Sequence, residues 1–266
     1  YIGELNLGDG KVLADFLKWG MERYPASHYY VNIANHGLGH AGISWDFNTY
    51  VGENAGGKAK HFGNSDRIEP LELREALQRA TQGGANKIDI LHYDACLMGL
   101  WEHAYQIKDF VDYLVFSQNQ GWSVFAFDQY ARALQGHNTR AVATEIARLY
   151  SQRVEEKAKP YTISVADLSK MVNLRQAVDQ LAVALEGGMG TFKQLLKESR
   201  DATQTFDSNG NVILTKEDSY LDLYDFATQV KQRITNTAVQ NAATAVQNAV
   251  TQSVVVEYHQ AGVTQD

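Results

Sequence analysis

Two side chains here can support covalent chemistry near neutral pH, and each follows a run that reads as a strand. His36 closes the run His28–Asn35, and the single cysteine, Cys96, closes the run Lys87–Tyr93. A thiol attacks as its thiolate, and an adjacent imidazole supplies the base or the compensating cation. The two residues are 60 positions apart, which leaves room for a loop, a helix and a strand between them. In open α/β sheets, sites form beyond the carboxyl ends of the strands, so neighbouring strands would bring His36 and Cys96 to one edge. Gly37 leaves a backbone N–H uncovered, and the Cys96 amide lies at a turn into a helix; both suit an oxyanion. Plainer alternatives stay open, with Cys96 as core filler and His36 as a structural histidine. His36 and His40 also have a zinc spacing on a helix, but Gly37 and Gly39 disfavour a helix there, and no metal-ligand set is read from the chain. One cysteine also excludes an internal disulfide.

The elements that must hold these residues alternate along the chain. Asp9 predicts a helix cap, and the helix runs to about Tyr24 with Leu13, Phe16, Leu17 and Met21 on one face. From His36 to about Ile68 the chain carries Gly52, Gly56, Gly57, Gly63, Lys58, Lys60 and Arg67. A loop of this length is functional or cleavable, or else disordered or a β-hairpin excursion. Pro70 starts a helix that Gly83 and Gly84 stop. A helix follows Cys96 to about Asp109, then come a strand Asp112–Ser117 and helices near 127–135 and 138–157. A strand Tyr161–Val165 and a helix 167–186 follow. This alternation predicts an α/β class with a mostly parallel sheet flanked by helices.

From about residue 187 the pattern becomes mainly helical. The near-repeat Ala238–Ala242 and Ala245–Ala249 has helical spacing, and Ser253–His259 reads as a last strand. Asp207, Asn209 and Asn211 resemble the start of a calcium loop. However, Val212 and Asp218 stand where such a loop needs Gly and Glu, so a plain turn at Asn209-Gly210 is the reading preferred.

Composition bounds the function. At 266 residues the chain suits one or two domains. Its 44% hydrophobic content, with 4 Trp, 14 Tyr and 10 Phe, excludes a disordered chain. A net charge of −7 argues against nucleic acid or an anionic membrane surface as partner and suits a cationic substrate. No apolar run reaches the ~18 residues of a membrane span. Residues 1–20 lack the apolar stretch of a signal peptide, and the start at Tyr1 without Met is read as a processed or trimmed end.

Several stretches together resemble the clostripain family of cysteine peptidases. They are Asn6-Leu-Gly-Asp through Trp19, the strand into Ala34-Asn-His-Gly, and Tyr93-Asp-Ala-Cys-Leu-Met-Gly. Further matches are Glu102-His-Ala-Tyr-Gln, Asp112-Tyr-Leu-Val, Gly121-Trp122, Thr162–Leu168 and Leu221–Phe226. The resemblance covers nearly the whole chain in order, with Asp94–Gly99 its most specific part. It implies a caspase-like three-layer sandwich, related to gingipains, legumain and caspases. The expected organisation is one peptidase domain over 1–266, with a catalytic core 1–165 and a mainly helical part 166–266 ending in a strand.

The resemblance implies a Cys96–His36 dyad, an oxyanion hole of the Gly37 and Cys96 amides, and cleavage after Arg or Lys. It puts the acidic floor of the specificity pocket at Asp94, with Ser117, Gln118 and Trp122 lining the pocket. Self-cleavage is expected at Lys58 or Lys60. It also implies a secreted or cell-envelope bacterial protein acting on peptides or proteins with a basic P1 residue, without a cofactor; calcium has no clear site. Departures are Gln118, where an acidic residue is common, and Gly39-His40, where Gly-Trp is usual. The family further leads us to expect one strand before Asn6 and one beyond His259, either trimmed or supplied separately. A catalytically inactive peptide-binding module is the competing reading, and another acyl transfer by the same pair is a third.

Overall fold

The computed structural model describes residues 3–47, 65–135, 138–157, 160–208 and 215–260. Asp9 accepts from the Lys11 amide and caps α1 (Gly10–Arg23). Its buried face is Ala14 and Leu17 with Leu13 packed alongside, whereas Phe16 is 62% exposed, so the expected apolar face is rotated away from Phe16. β1 (Tyr30–Ala34) follows. The long segment after it is a hairpin excursion at its described ends, β2 (Ile43–Asp46) paired antiparallel with β3 (Asp66–Ile68). Lys58 and Lys60 lie outside the described residues.

Pro70 opens α2 (Pro70–Ala80), which has a reciprocal Glu69–Glu72 capping box. It stops where Gln82, Gly83 and Gly84 take positive φ. Then come β4 (Ile88–Asp94), α3 (Trp101–Ile107), β5 (Val111–Phe116), α4 (Phe127–Ala133), α5 (Thr139–Glu155) and β6 (Tyr161–Asp167). β6 runs through the expected 165/166 boundary. The remainder is α6 (Met171–Glu186), α7 (Met189–Ala202), β7 (Thr205–Phe206), β8 (Tyr220–Leu221), α8 (Leu223–Arg233), α9 (Thr237–Ser253) and β9 (Val254–Gln260). Val239, Ala242, Val246 and Ala249 form the buried face of α9, as the seven-residue spacing requires.

The main sheet has the order β1-β4-β5-β6-β9. β1, β4 and β5 are parallel, β6 is antiparallel to β5, and β9 is antiparallel to β6. Four of the five strands therefore run one way and β6 runs against them. Helix packing divides the core. Residues of α2, α3, α6, α8 and α9 join Leu91, Leu114 and Phe116 on one face, and α4 and α5 join Ile90, Val115 and Val165 on the other. Apolar side chains on both faces make the central strands near-continuously hydrophobic, as a sheet covered by helices on both sides demands.

Candidate active site

Strand register brings the two reactive residues together. β1 and β4 are hydrogen-bonded neighbours with Ala34 opposite Asp94, and the Asn35 N–H extends the ladder to Asp94 O at 3.2 Å. His36 and Cys96 are each two residues past that matched pair, so both leave the same edge of the sheet. Gly37 then packs on the cysteine turn, where an added Cβ would collide with the Cys96 carbonyl and press on the Ala95 and Met98 side chains. Asn35 fastens the next strand to this segment, because its Oδ1 accepts from the His36 and Trp45 amides at 2.6 and 3.1 Å. Ser44 N–H donates to His36 O and Leu38 N–H to Gly42 O. These bonds flank Gly37 and leave its own N–H out of the pairing with Ile43.

The cysteine turn is held from the far side. Leu97 N–H donates to Asn119 O and Gly99 N–H to Ser117 O, both at 2.9 Å. Leu97 sits at φ 60°, in the left-handed region that a leucine rarely occupies. The thiol is half-buried and engaged by Gly121, whose N–H donates to Sγ at 3.2 Å and whose carbonyl accepts from Sγ at 3.7 Å. Burial pushes the Cys96 thiol up, the Asp207 carboxylate adds to this weakly, and the Gly121 amide opposes it. His36 is exposed and turns its ring edge-on to Phe47, with centroids 5.7 Å apart. Imidazole and thiol thus share an edge, with the thiol bonded to Gly121.

Asp94 is only 3% exposed. Asn32 Nδ2 donates to Asp94 Oδ2 at 2.6 Å. His92 Nε2 lies 2.9 Å from Asp94 Oδ1, an ion-pair distance without the direction of a hydrogen bond. On its other side His92 Nδ1 meets the Tyr30 hydroxyl at 2.8 Å. A buried carboxylate must have partners; β1 supplies Asn32 and β4 supplies His92, which Tyr30 holds from behind. The strand alternation in Tyr30, Asn32, His92 and Asp94 puts them on one face, a signal present in the sequence and not read there.

The remaining expected residues divide. The Ser117 hydroxyl is buried and pairs with Thr162 Oγ1 at 2.9 Å, so it braces the β5 exit and is not an open pocket wall. Gln118 borders two neighbouring cavities. Trp122 donates from Nε1 to Pro160 O at 2.6 Å, and its amide donates to the Tyr150 hydroxyl at 2.7 Å. Sequence reasoning missed Gly121 as the partner of the thiol. It also missed Tyr220, whose hydroxyl accepts from the His40 amide at 3.0 Å and donates to Leu38 O at 2.9 Å. Only folding brings that residue, 180 positions away from His40, to the loop. Behind His40, His103 is buried, and burial with the neighbouring His40 lowers it to about 4. Of the calcium-like run, Asp218 is fully buried and accepts from the Ser208 and Thr215 amides at 3.0 and 2.7 Å, while Asn209 and Asn211 lie outside the described residues.

Comparison with known proteins agrees with this architecture. The family model Peptidase_C11, described as the clostripain family, matches residues 1–265. Clostripain from Hathewaya histolytica is 26% identical over 274 residues, covering 86% of this chain and 49% of that protein. The chain therefore spans about half the length of this curated relative. Among solved structures, a secreted C11 cysteine protease from Bacteroides thetaiotaomicron bound to an irreversible peptide inhibitor is similar. It has a TM-score of 0.62 at 21% identity, over 95% of this chain and 64% of that one. An inactive zymogen C11 protease from Parabacteroides distasonis also gives 0.62, at 17% identity over 97% of this chain and 64% of that one. These likenesses carry the fold, and the expected caspase-like layering is the one observed. With a helix-flanked sheet, a histidine and a cysteine at matched register, and a family match over essentially its full length, this chain belongs to the clostripain family.

Proposed function

We propose that the protein is a cysteine endopeptidase that cleaves after Arg or Lys, with Cys96 as nucleophile and His36 as its partner. The observation that carries this reading is the parallel register Ala34–Asp94, with Gly37 packed on the Cys96 turn. In the reaction, Cys96 gives its thiol proton to His36 as Sγ forms a bond to the scissile carbonyl carbon, and the Gly37 and Cys96 amides hold the oxyanion. His36 gives its proton to the leaving amine as the C–N bond breaks, and water then hydrolyses the thioester. Asp94 is the anion proposed to receive the P1 cation, with Gln118 and Trp122 on the flanks. Its buried, hydrogen-bonded carboxylate suits that role, because a paired charge in a poorly solvated site discriminates strongly.

In this reading, the thiol bonded to Gly121 and raised by burial is the arrangement that precedes a cut. We infer that a cut at Lys58 or Lys60 releases the segment after His36 and lets the imidazole reach the thiol. The zymogen relative supports this, as the secreted relative supports export from a bacterial cell. Residues 1–266 act as one peptidase domain in this reading, with 1–165 as its core and 166–266 as its bracing part.

A lysyl or arginyl acyloxymethyl ketone is expected to add one equivalent to Cys96, seen by intact mass and peptide mapping. A folded, reduced protein that takes no label, before or after limited cleavage of the 48–64 segment, refutes the reading. One observation favours the binding-module alternative: the thiol is engaged by Gly121, not by His36. That reading expects no label and tight capture of a basic peptide without turnover.

A further inference from the structure

The usual zinc spacing, His36 with His40, is not the histidine pair that folding brings together. His40 instead faces His103, with ring centroids 5.9 Å apart and planes inclined by 50°. Two imidazoles sharing one ion at Zn–N distances of about 2.0–2.1 Å have their centres about 5–6 Å apart. His103 is 3% exposed, and its Nε2 is buried without a hydrogen-bond partner. Such an atom calls for an explanation, and a bound ion is one of the few available. The two rings border a cavity of about 480 Å³, which Glu102 and Gln106 also line. The His40 backbone is already fixed, because its amide donates to Tyr220 and Gly39 at φ 53° lets the phenol pack against it.

We propose that His40 and His103 form a binding site for a divalent ion of the zinc type. Both rings can present a neutral nitrogen, the form a metal needs. Among the described residues no group of three or more His, Cys, Asp and Glu is placed to hold a metal, so water fills the remaining positions and the site is open and exchangeable. This is a regulatory ion and not a cofactor of the reaction. His40 lies four residues after His36, and His103 lies on α3, the helix that follows the Cys96 turn. An ion on both ties the histidine segment to the cysteine segment and holds His36 away from the thiol. That consequence for turnover rests on the peptidase reading, whereas the binding does not.

The test uses the full chain carrying Cys96→Ala, which removes the thiolate as a competing ligand. Zinc is titrated against a chromophoric chelator, and cobalt is followed by its d–d absorption. The expected result is one ion per chain, bound at least about tenfold more weakly after His103→Leu or His40→Gln and unchanged after His36→Ala. His40 is exposed, so His40→Gln folds even if His103→Leu does not. In the chain with Cys96 intact, zinc is expected to slow peptide hydrolysis at concentrations that leave His40→Gln active. No zinc binding below about 1 mM to the Cys96→Ala chain, or binding that both substitutions leave unchanged, overturns the site. Histidine-dependent binding in a chain that hydrolyses nothing supports the site and refutes only the peptidase reading.

Discussion

At the scale of single residues, the thiol and the buried carboxylate are where physical chemistry decides most. Burial disfavours a thiolate, so the Cys96 thiol is raised in the uncut chain. The sign follows directly, because a raised value means less thiolate at a given pH. Iodoacetamide should therefore react slowly near pH 7, and its rate should climb only through and above the ordinary thiol value of about 8.5. A rate that levels off below pH 7.5 in uncut protein would show the imidazole already paired with the thiol. Cys96→Ala should end hydrolysis and shift Tm by no more than about 2 °C, since a half-buried sulfur contributes little packing. At Asp94, Asn substitution keeps the Asn32 and His92 neighbourhood filled but removes the charge. The ratio of kcat/KM for Lys over a neutral P1 isostere should fall by at least about tenfold, the loss of a desolvated ion pair. An unchanged ratio places the P1 cation elsewhere.

At the scale of elements, the site is made by five segments clamped on one another. The Asn6–Asp9 stretch wraps the β2–β3 hairpin. Asn6 donates to Asp66 at 2.6 Å, and the Leu7 amide donates to Asp46 at 2.9 Å. An added Cβ at Gly8 would strike the Asp66 backbone. The hairpin in turn holds the His36 segment through Asn35, and β8 holds it from the other side through Tyr220. Gly37 is the point where this assembly meets the cysteine turn. Gly37→Ala should cost roughly 1–3 kcal/mol from overpacking. At this chain length that lowers Tm by roughly 2–10 °C, and activity should fall by much more than stability does. Thermal scans beside kcat measurements decide this; a variant with full activity would show that the contact is dispensable.

Across the whole molecule, the sheet is continuous from β1 to β9, so the last strand braces the same core that carries the cysteine. Leu114, on the central strand β5, is fully buried between layers. Leu114→Ala should lose about 2–5 kcal/mol in denaturant unfolding and lower the yield of active protein without altering P1 preference. The net charge of −7 acts at longer range. Salt screens over about 10 Å at 0.1 M, so kcat/KM for a multiply basic peptide should fall several-fold on going from about 50 to 500 mM NaCl, with little change for a neutral peptide. Equal salt dependence for both would limit electrostatics to the immediate site.

The sequence by itself determined the class of the fold, the ends of most elements and the placement of His36 and Cys96 just beyond two strands. These are local properties: hydrophobic period, caps such as Asp9 and Pro70, and a reactive side chain placed just after an apolar run. Parallel strands translate such local order into place, because their common direction puts the residues after Ala34 and Asp94 side by side. Tertiary structure alone decided the rest. Phe16 turned outward because helix packing, not apolar spacing, selects the buried face. Ser117 turned inward to Thr162, Gly121 became the partner of the thiol, and His40 met His103 instead of His36. Each is a contact between segments distant along the chain, and a one-dimensional pattern holds no record of which distant group will fill the space.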